Sequence, residues 1–107
     1  MEQNQLTARE KIEKVIANNA VVLFMKGEPQ FPQCGFSAAA VKMLTDAGAG
    51  EFAYVNVLED VQVRESIKTY SSWPTIPQLY IKQEFIGGAD IMRELHEAGD
   101  LSRLIND

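Results

Sequence analysis

A lone cysteine limits the chemistry this chain can perform. Cys34 is the one cysteine in 107 residues, so it can neither close a disulfide within the chain nor by itself build a four-thiolate or zinc site. Sulfur chemistry must borrow a second thiol, from another subunit or a small thiol, in a reducing compartment. Cys34 follows a stretch containing Gly27, Pro29 and Pro32 and precedes the Ala-rich run Ser37 to Asp46, in which Val41 and Leu44 have helical spacing. It therefore stands where a loop meets a helix start. There, unpaired N–H groups and the positive end of the helix dipole favour the thiolate, the form that attacks sulfur or binds metal. Free cysteine is also among the most buried residue types, so position alone leaves a small structural hydrophobe as the alternative.

A second stretch, Gly87-Gly88-Ala89-Asp90, lets the backbone approach a ligand closely and then opens the N–H groups of a new helix, which suits a carboxylate. A hairpin exit followed by an N-cap accounts for the same residues, and both readings hold together. Arg64 and Lys68 are i, i+4 neighbours on one predicted helix face, so they can address one anion.

The elements that must position these residues are legible from periodicity and punctuation. Thr7 and Glu10 have capping-box spacing before Ile12, Val15 and Ile16, which predicts an amphipathic helix from Thr7 to Asn18. Val21 to Met25, a continuous apolar run, reads as a strand buried on both faces, and Lys26 to Gln33 as a loop. Gly48 and Gly50 end the helix after Cys34, Phe52 to Val57 alternates as a strand, and Asp60 caps a helix from Val61 to about Tyr70. Trp73 to Pro77 is a stiff connection with Pro74 and Pro77. Gln78 to Ile81 and Glu84 to Ile86 read as a hairpin turning near Lys82 and Gln83. Asp90 is placed to cap a helix through Leu95 that stops at Gly99, and Asp100 to cap a short last helix ending near Ile105. The order is α-β-α-β-α-β-β-α-α. Its first two strands should be parallel across a helix, and its last two antiparallel.

Composition narrows the function classes. Hydrophobic residues make up 46% and charged residues 23% of the chain, values that support a packed core, and no polar tract divides residues 1–107, so one domain is expected. The net charge is -5 with scattered basic residues, which lacks the electrostatic footprint of a nucleic-acid binder. No apolar run approaches the roughly 20 residues that span a bilayer. Met1 to Gln5 is polar and has neither secretory nor transit character, so the expected location is the cytoplasm.

Cys34-Gly35-Phe36-Ser37, preceded by Phe24-Met25-Lys26-Gly27, resembles the CGFS signature of the monothiol glutaredoxins. Further motifs follow in the same order: Phe52-Ala53-Tyr54-Val55, Trp73-Pro74-Thr75-Ile76-Pro77-Gln78-Leu79, and Phe85-Ile86-Gly87-Gly88-Ala89-Asp90. The resemblance runs from about Glu10 to Ile105. It implies an α/β, thioredoxin-like fold with a central four-stranded mixed sheet flanked by helices, and a glutathione groove.

By that resemblance Thr75-Ile76-Pro77 is the loop with a cis proline, leaving the Ile76 backbone to pair with extended glutathione, against an ordinary stiff turn as the alternative. Gly88, Ala89 and Asp90 are assigned the γ-glutamyl end, and Ala89 stands where several relatives place Cys or Ser, which excludes a resolving thiol there. The resemblance also brings Lys26, Arg64 and Lys68 to the groove. Lys26 and Arg64 are taken as ligand residues and Lys68 as part of a solvated basic face. Phe36 either covers the ligand or packs in the core, Trp73 either contacts a partner or is half-buried, and His96 is read as solvated.

Iron-sulfur clusters take four thiolates, so two subunits, each giving Cys34 and one glutathione sulfur, close the count. The resemblance implies the same function: a cluster-bridged homodimer holding a 2Fe-2S cluster for apo iron-sulfur acceptor proteins or sharing it with a BolA-type partner. Two other functions suit the same residues: a glutathione-dependent thiol-disulfide oxidoreductase, and a thioredoxin-fold interaction module without activity.

Overall fold

The computed structural model describes residues 6–107, so the reading of Met1 to Gln5 lies outside the described residues. Helix α1, Ala8–Asn18, starts on the expected capping box, with the Thr7 N–H donating to Glu10 Oε1 at 2.8 Å and the Glu10 N–H to Thr7 Oγ1 at 3.1 Å. Strand β1, Val21–Met25, is buried at every position because it lies inside a three-layer stack. Its odd residues Val21, Leu23 and Met25 enter one core with Met43, Leu44, Met92 and Leu101. Its even residues Val22 and Phe24 enter a second, with Ile12, Ile16, Val63, Ile67 and Tyr80.

The segment read as a loop carries its own structure. Strands β2, Gly27–Glu28, and β3, Phe31–Pro32, pair antiparallel around a turn at Pro29 and Gln30. Only two residues per strand pair, too few for alternation to show in the sequence. Helix α2, Gly35–Asp46, then crosses to β4, Ala53–Asn56, which runs parallel to β1. An unforeseen 3-10 turn, Val57–Glu59, leads into α3, Val61–Ser71, whose N-cap Asp60 accepts the Gln62 and Val63 N–H groups.

Strands β5, Gln78–Ile81, and β6, Glu84–Gly87, form the expected hairpin, with Lys82 and Gln83 both at positive φ as a two-residue turn requires. The sheet order is β4-β1-β5-β6, a four-stranded mixed sheet flanked by helices in a thioredoxin-like arrangement. Two caps differ from expectation. Helix α4, Ala89–Glu97, is capped by Gly88, with Asp90 inside its first turn; α5, Asp100–Asn106, follows Gly99 at φ 79°, and Asp100 instead pairs with Arg103 at 2.8 Å. In both cases an acidic residue one or two places late complements the helix dipole without closing the cap.

Candidate functional site

Five segments distant in sequence meet at one cleft of about 420 Å³. The end of β1 contributes Lys26, the start of α2 Cys34 and Phe36, and α3 Arg64 and Lys68. The connection before β5 brings Trp73 to Pro77, and the start of α4 brings Gly88, Ala89 and Asp90. Every residue expected at the site from the sequence thus lies in one lining. Lys68 lies there as well, paired with Glu65 at 3.6 Å, so it is not confined to a solvated face. Phe36 is 63% exposed, which removes the core-packing alternative.

Cys34 is the N-cap of α2, extended at φ -155° and ψ 139°, and partly exposed. Its Sγ closes no cap hydrogen bond in this rotamer. The Ser37 backbone N–H still pulls the thiol below its ordinary value; partial burial opposes that, and the Phe36 N–H, the Lys26 charge and the Ser37 hydroxyl add to it. The thiolate is the favoured form for a physical reason: the first N–H groups of a helix have no partner within it.

Ser37 is a site-supporting residue that sequence reasoning passed over. It is fully buried, and its Oγ accepts the Lys26 N–H at 3.1 Å, tying the strand end to the cysteine helix. Its place as the last residue of the Cys34-Gly35-Phe36-Ser37 motif was the available signal.

Gln78 is the other. Also fully buried, it donates from Nε2 to the Trp73 carbonyl at 3.0 Å and the Thr75 carbonyl at 3.1 Å, holding the connection into β5. A lone amide at the start of an otherwise apolar strand was its signal. The Ile76–Pro77 peptide in this connection is cis, as the resemblance implied. Trp73 is half-buried and packs against Phe85 with ring centroids 5.7 Å apart, and Phe85 against Tyr80 at 5.4 Å, so the cleft wall is continuous with the core.

Gly88 is where backbone and wall come closest. A Cβ there would lie 3.0 Å from Trp73 Nε1 and 3.3 Å from the Pro77 carbonyl oxygen. The lining holds a partly open thiol, the cations Lys26, Arg64 and Lys68, and a helix start with Asp90, which suits an extended, charged small thiol. Among the described residues, no group of three or more His, Cys, Asp or Glu side chains could hold a metal ion.

Comparison with known proteins gives the same outline. The Glutaredoxin family matches residues 21–86. The chain is 50% identical over 101 residues to the monothiol glutaredoxin-5, mitochondrial, of Lachancea kluyveri, covering 92% of this chain and 71% of that protein. The solution structure of reduced poplar apo GrxS14 superposes with a TM-score of 0.79 at 46% identity, over 91% of this chain and 88% of that one. A buckwheat glutaredoxin-glutathione complex shares the fold, with a TM-score of 0.80 at 22% identity over 92% of this chain and 86% of that one.

Proposed function

The chain belongs to the monothiol glutaredoxin family, and we propose that it carries a 2Fe-2S cluster with glutathione and passes it to apo iron-sulfur acceptor proteins. The observation that carries this reading is one partly open thiol, Cys34, at the edge of a cleft lined by Lys26, Arg64 and the start of α4. The cleft residues fit glutathione by charge and shape. Lys26, Arg64 and Lys68 would take a carboxylate, Ile76 and Pro77 the extended backbone, Gly88 and Ala89 the γ-glutamyl carboxylate, and Asp90 an ammonium. Thr75 and Phe36 complete the walls. A buckwheat glutaredoxin is known as its glutathione complex, which supports the same ligand here.

The cluster is cargo. One chain supplies one thiolate, so a homodimer with two glutathione sulfurs completes four ligands, and a BolA-type protein is the other partner in this proposal. Residues 1–107 acting as one domain in the cytoplasm belong to the proposal too; the Lachancea relative is mitochondrial. No helix among the described residues is long and apolar enough to cross a membrane. Anaerobic reconstitution with iron, sulfide and glutathione is expected to give a brown dimer, and a Cys34→Ser variant that kept the cluster would refute the assignment.

The partly exposed thiol with its lowered pKa also favours thiol-disulfide exchange. The Cys34 thiolate attacks the glutathione sulfur of a mixed disulfide and the substrate thiolate leaves. A second glutathione thiolate then attacks the Cys34-glutathione bond, releasing glutathione disulfide and the free Cys34 thiolate. Fast turnover of a small mixed disulfide with glutathione would make this the main activity, and absence of glutathione binding by calorimetry would leave only a docking module.

A further inference from the structure

Asn56 ends β4 and contributes nothing to the cleft lining, yet its side chain reaches the site through the backbone. Its Oδ1 accepts two N–H groups at once, from Leu58 at 3.0 Å and from Gly27 at 2.9 Å. The first bond is local and caps the 3-10 turn. The second crosses 29 positions of sequence to the residue after Lys26 and is not needed by the turn.

Lys26 is thereby held on every side through its main chain. Its N–H donates to Ser37 Oγ at 3.1 Å, its carbonyl accepts the Gln33 N–H at 2.9 Å, and the next N–H, that of buried Gly27, is taken by Asn56. There is no slack at Gly27, where the Phe31 carbonyl oxygen and Gln33 N lie 2.6 and 2.7 Å from the place a Cβ would occupy. Released from Asn56, the buried Gly27 N–H loses its partner and must find water.

We propose that Asn56 is a positioning residue for Lys26: by anchoring the Gly27 N–H to the end of β4, it fixes where the Lys26 side chain enters the cleft. A lysine stem is flexible, so the protein can set its origin more firmly than its tip. An ammonium whose origin drifts spends less time against the anion it serves. The proposal rests on glutathione being the ligand of this cleft, with Lys26 addressing its charge.

Asn56→Ser separates the two bonds, since a serine hydroxyl can still cap Leu58 two residues on but is too short to reach Gly27. Two measurements test the proposal: hydrogen exchange of the Gly27 amide by NMR, and reduced-glutathione affinity by calorimetry with Lys26 or Lys26→Met in each background. In Asn56→Ser we expect the Gly27 amide to exchange roughly tenfold faster and glutathione to bind several-fold more weakly, with Lys26→Met costing much less than in the native protein. Native exchange at Gly27, or an unchanged Lys26→Met penalty, overturns the proposal. Should Asn56→Ser not fold, Asn56→Asp decides: it keeps an acceptor at the same place, so a protected Gly27 amide supports the anchor and a lost one overturns it. A native protein that binds no glutathione defeats the ligand assignment instead, while the exchange measurement still reads the anchor.

Discussion

Gly27→Ala asks the structure to accept a methyl group where neighbouring backbone leaves no room, and the damage has two separable sources. Gly27 sits at φ +92°, a conformation that side chains rarely adopt, and holding an alanine there costs about 1 to 3 kcal/mol. The new Cβ would also lie 2.6 Å from the Phe31 carbonyl oxygen, 2.7 Å from Gln33 N and 2.9 Å from Gln33 Cγ. The Cγ can swing away, but the other two atoms are backbone of the facing strand. Relief requires β2 and β3 to part, which strains the Gln33 to Lys26 bond at 2.9 Å and adds a further 1 to 3 kcal/mol or so.

The sum, about 2 to 6 kcal/mol, is a large fraction of the roughly 5 to 15 kcal/mol that holds a domain folded. With a urea m-value of about 2 kcal/mol/M, the midpoint should fall by roughly 1 to 3 M. Gly35→Ala is the internal control. Among the described residues, apart from its chain neighbours and its own helix backbone, no heavy atom lies within 4 Å of the added Cβ, and Gly35 opens α2, so the change should be neutral or stabilise by about 0.4 to 1 kcal/mol. A Gly27→Ala protein within about 0.5 kcal/mol of native, or a Gly35→Ala protein that is the weaker of the two, would show that the close packing of the hairpin is not what it is argued to be.

Other outcomes are equally direct. Gly88→Ala places a Cβ 3.0 Å from Trp73 Nε1 and 3.3 Å from the Pro77 carbonyl oxygen; it should cost about 1 kcal/mol in a urea titration. It should also weaken glutathione roughly tenfold by calorimetry, and unchanged affinity would dissociate this wall from ligand binding. Tyr80 is 3% exposed, and burial pushes its phenol up to about 12, with Tyr70 beside it adding to the shift. The unfolded chain loses this proton near pH 10 and the folded one near 12, so stability that is complete below pH 10 should fall by about 2 to 3 kcal/mol as pH rises through that window. Urea midpoints of Tyr80→Phe should lack that fall, and at neutral pH the variant should lose little, because the Tyr80 hydroxyl makes no hydrogen bond among the described residues. The rate of Cys34 alkylation by iodoacetamide should reach half its maximum at a lower pH than that of a free cysteine, and move upward in Lys26→Met and in Ser37→Ala, which loses the hydroxyl but keeps the N–H; identical profiles in all three would remove the Lys26 charge and the Ser37 hydroxyl as causes and leave the helix N–H groups.

Legibility followed the range of the interaction. Thr7 with Glu10, the apolar run Val21 to Met25 and the turn at Lys82 and Gln83 depend on neighbours a few residues away, and each stands where the sequence placed it. The β2–β3 hairpin and the 3-10 turn at Val57 were missed because two or three residues carry no period. The caps of α4 and α5 were assigned to Asp90 and Asp100, whereas the chain uses Gly88, where a Cβ would press on Trp73 Nε1 at 3.0 Å, and Gly99, whose φ of 79° favours glycine.

By itself the sequence determined that one thiol, placed at a helix start, must find its chemistry with a thiol from elsewhere, and the ordered motifs identified the family. Tertiary structure decided between open readings, placing Lys68 in the cleft lining and Phe36 outside the core, and it alone showed that Ser37, Gln78 and Asn56 hold the site's backbone from outside it. The reason is physical. A side chain's propensity and capping act within a turn or two of its own position, whereas a buried polar group finds its partner in whatever segment the packed sheet brings near, and for Asn56 that partner lay 29 residues away.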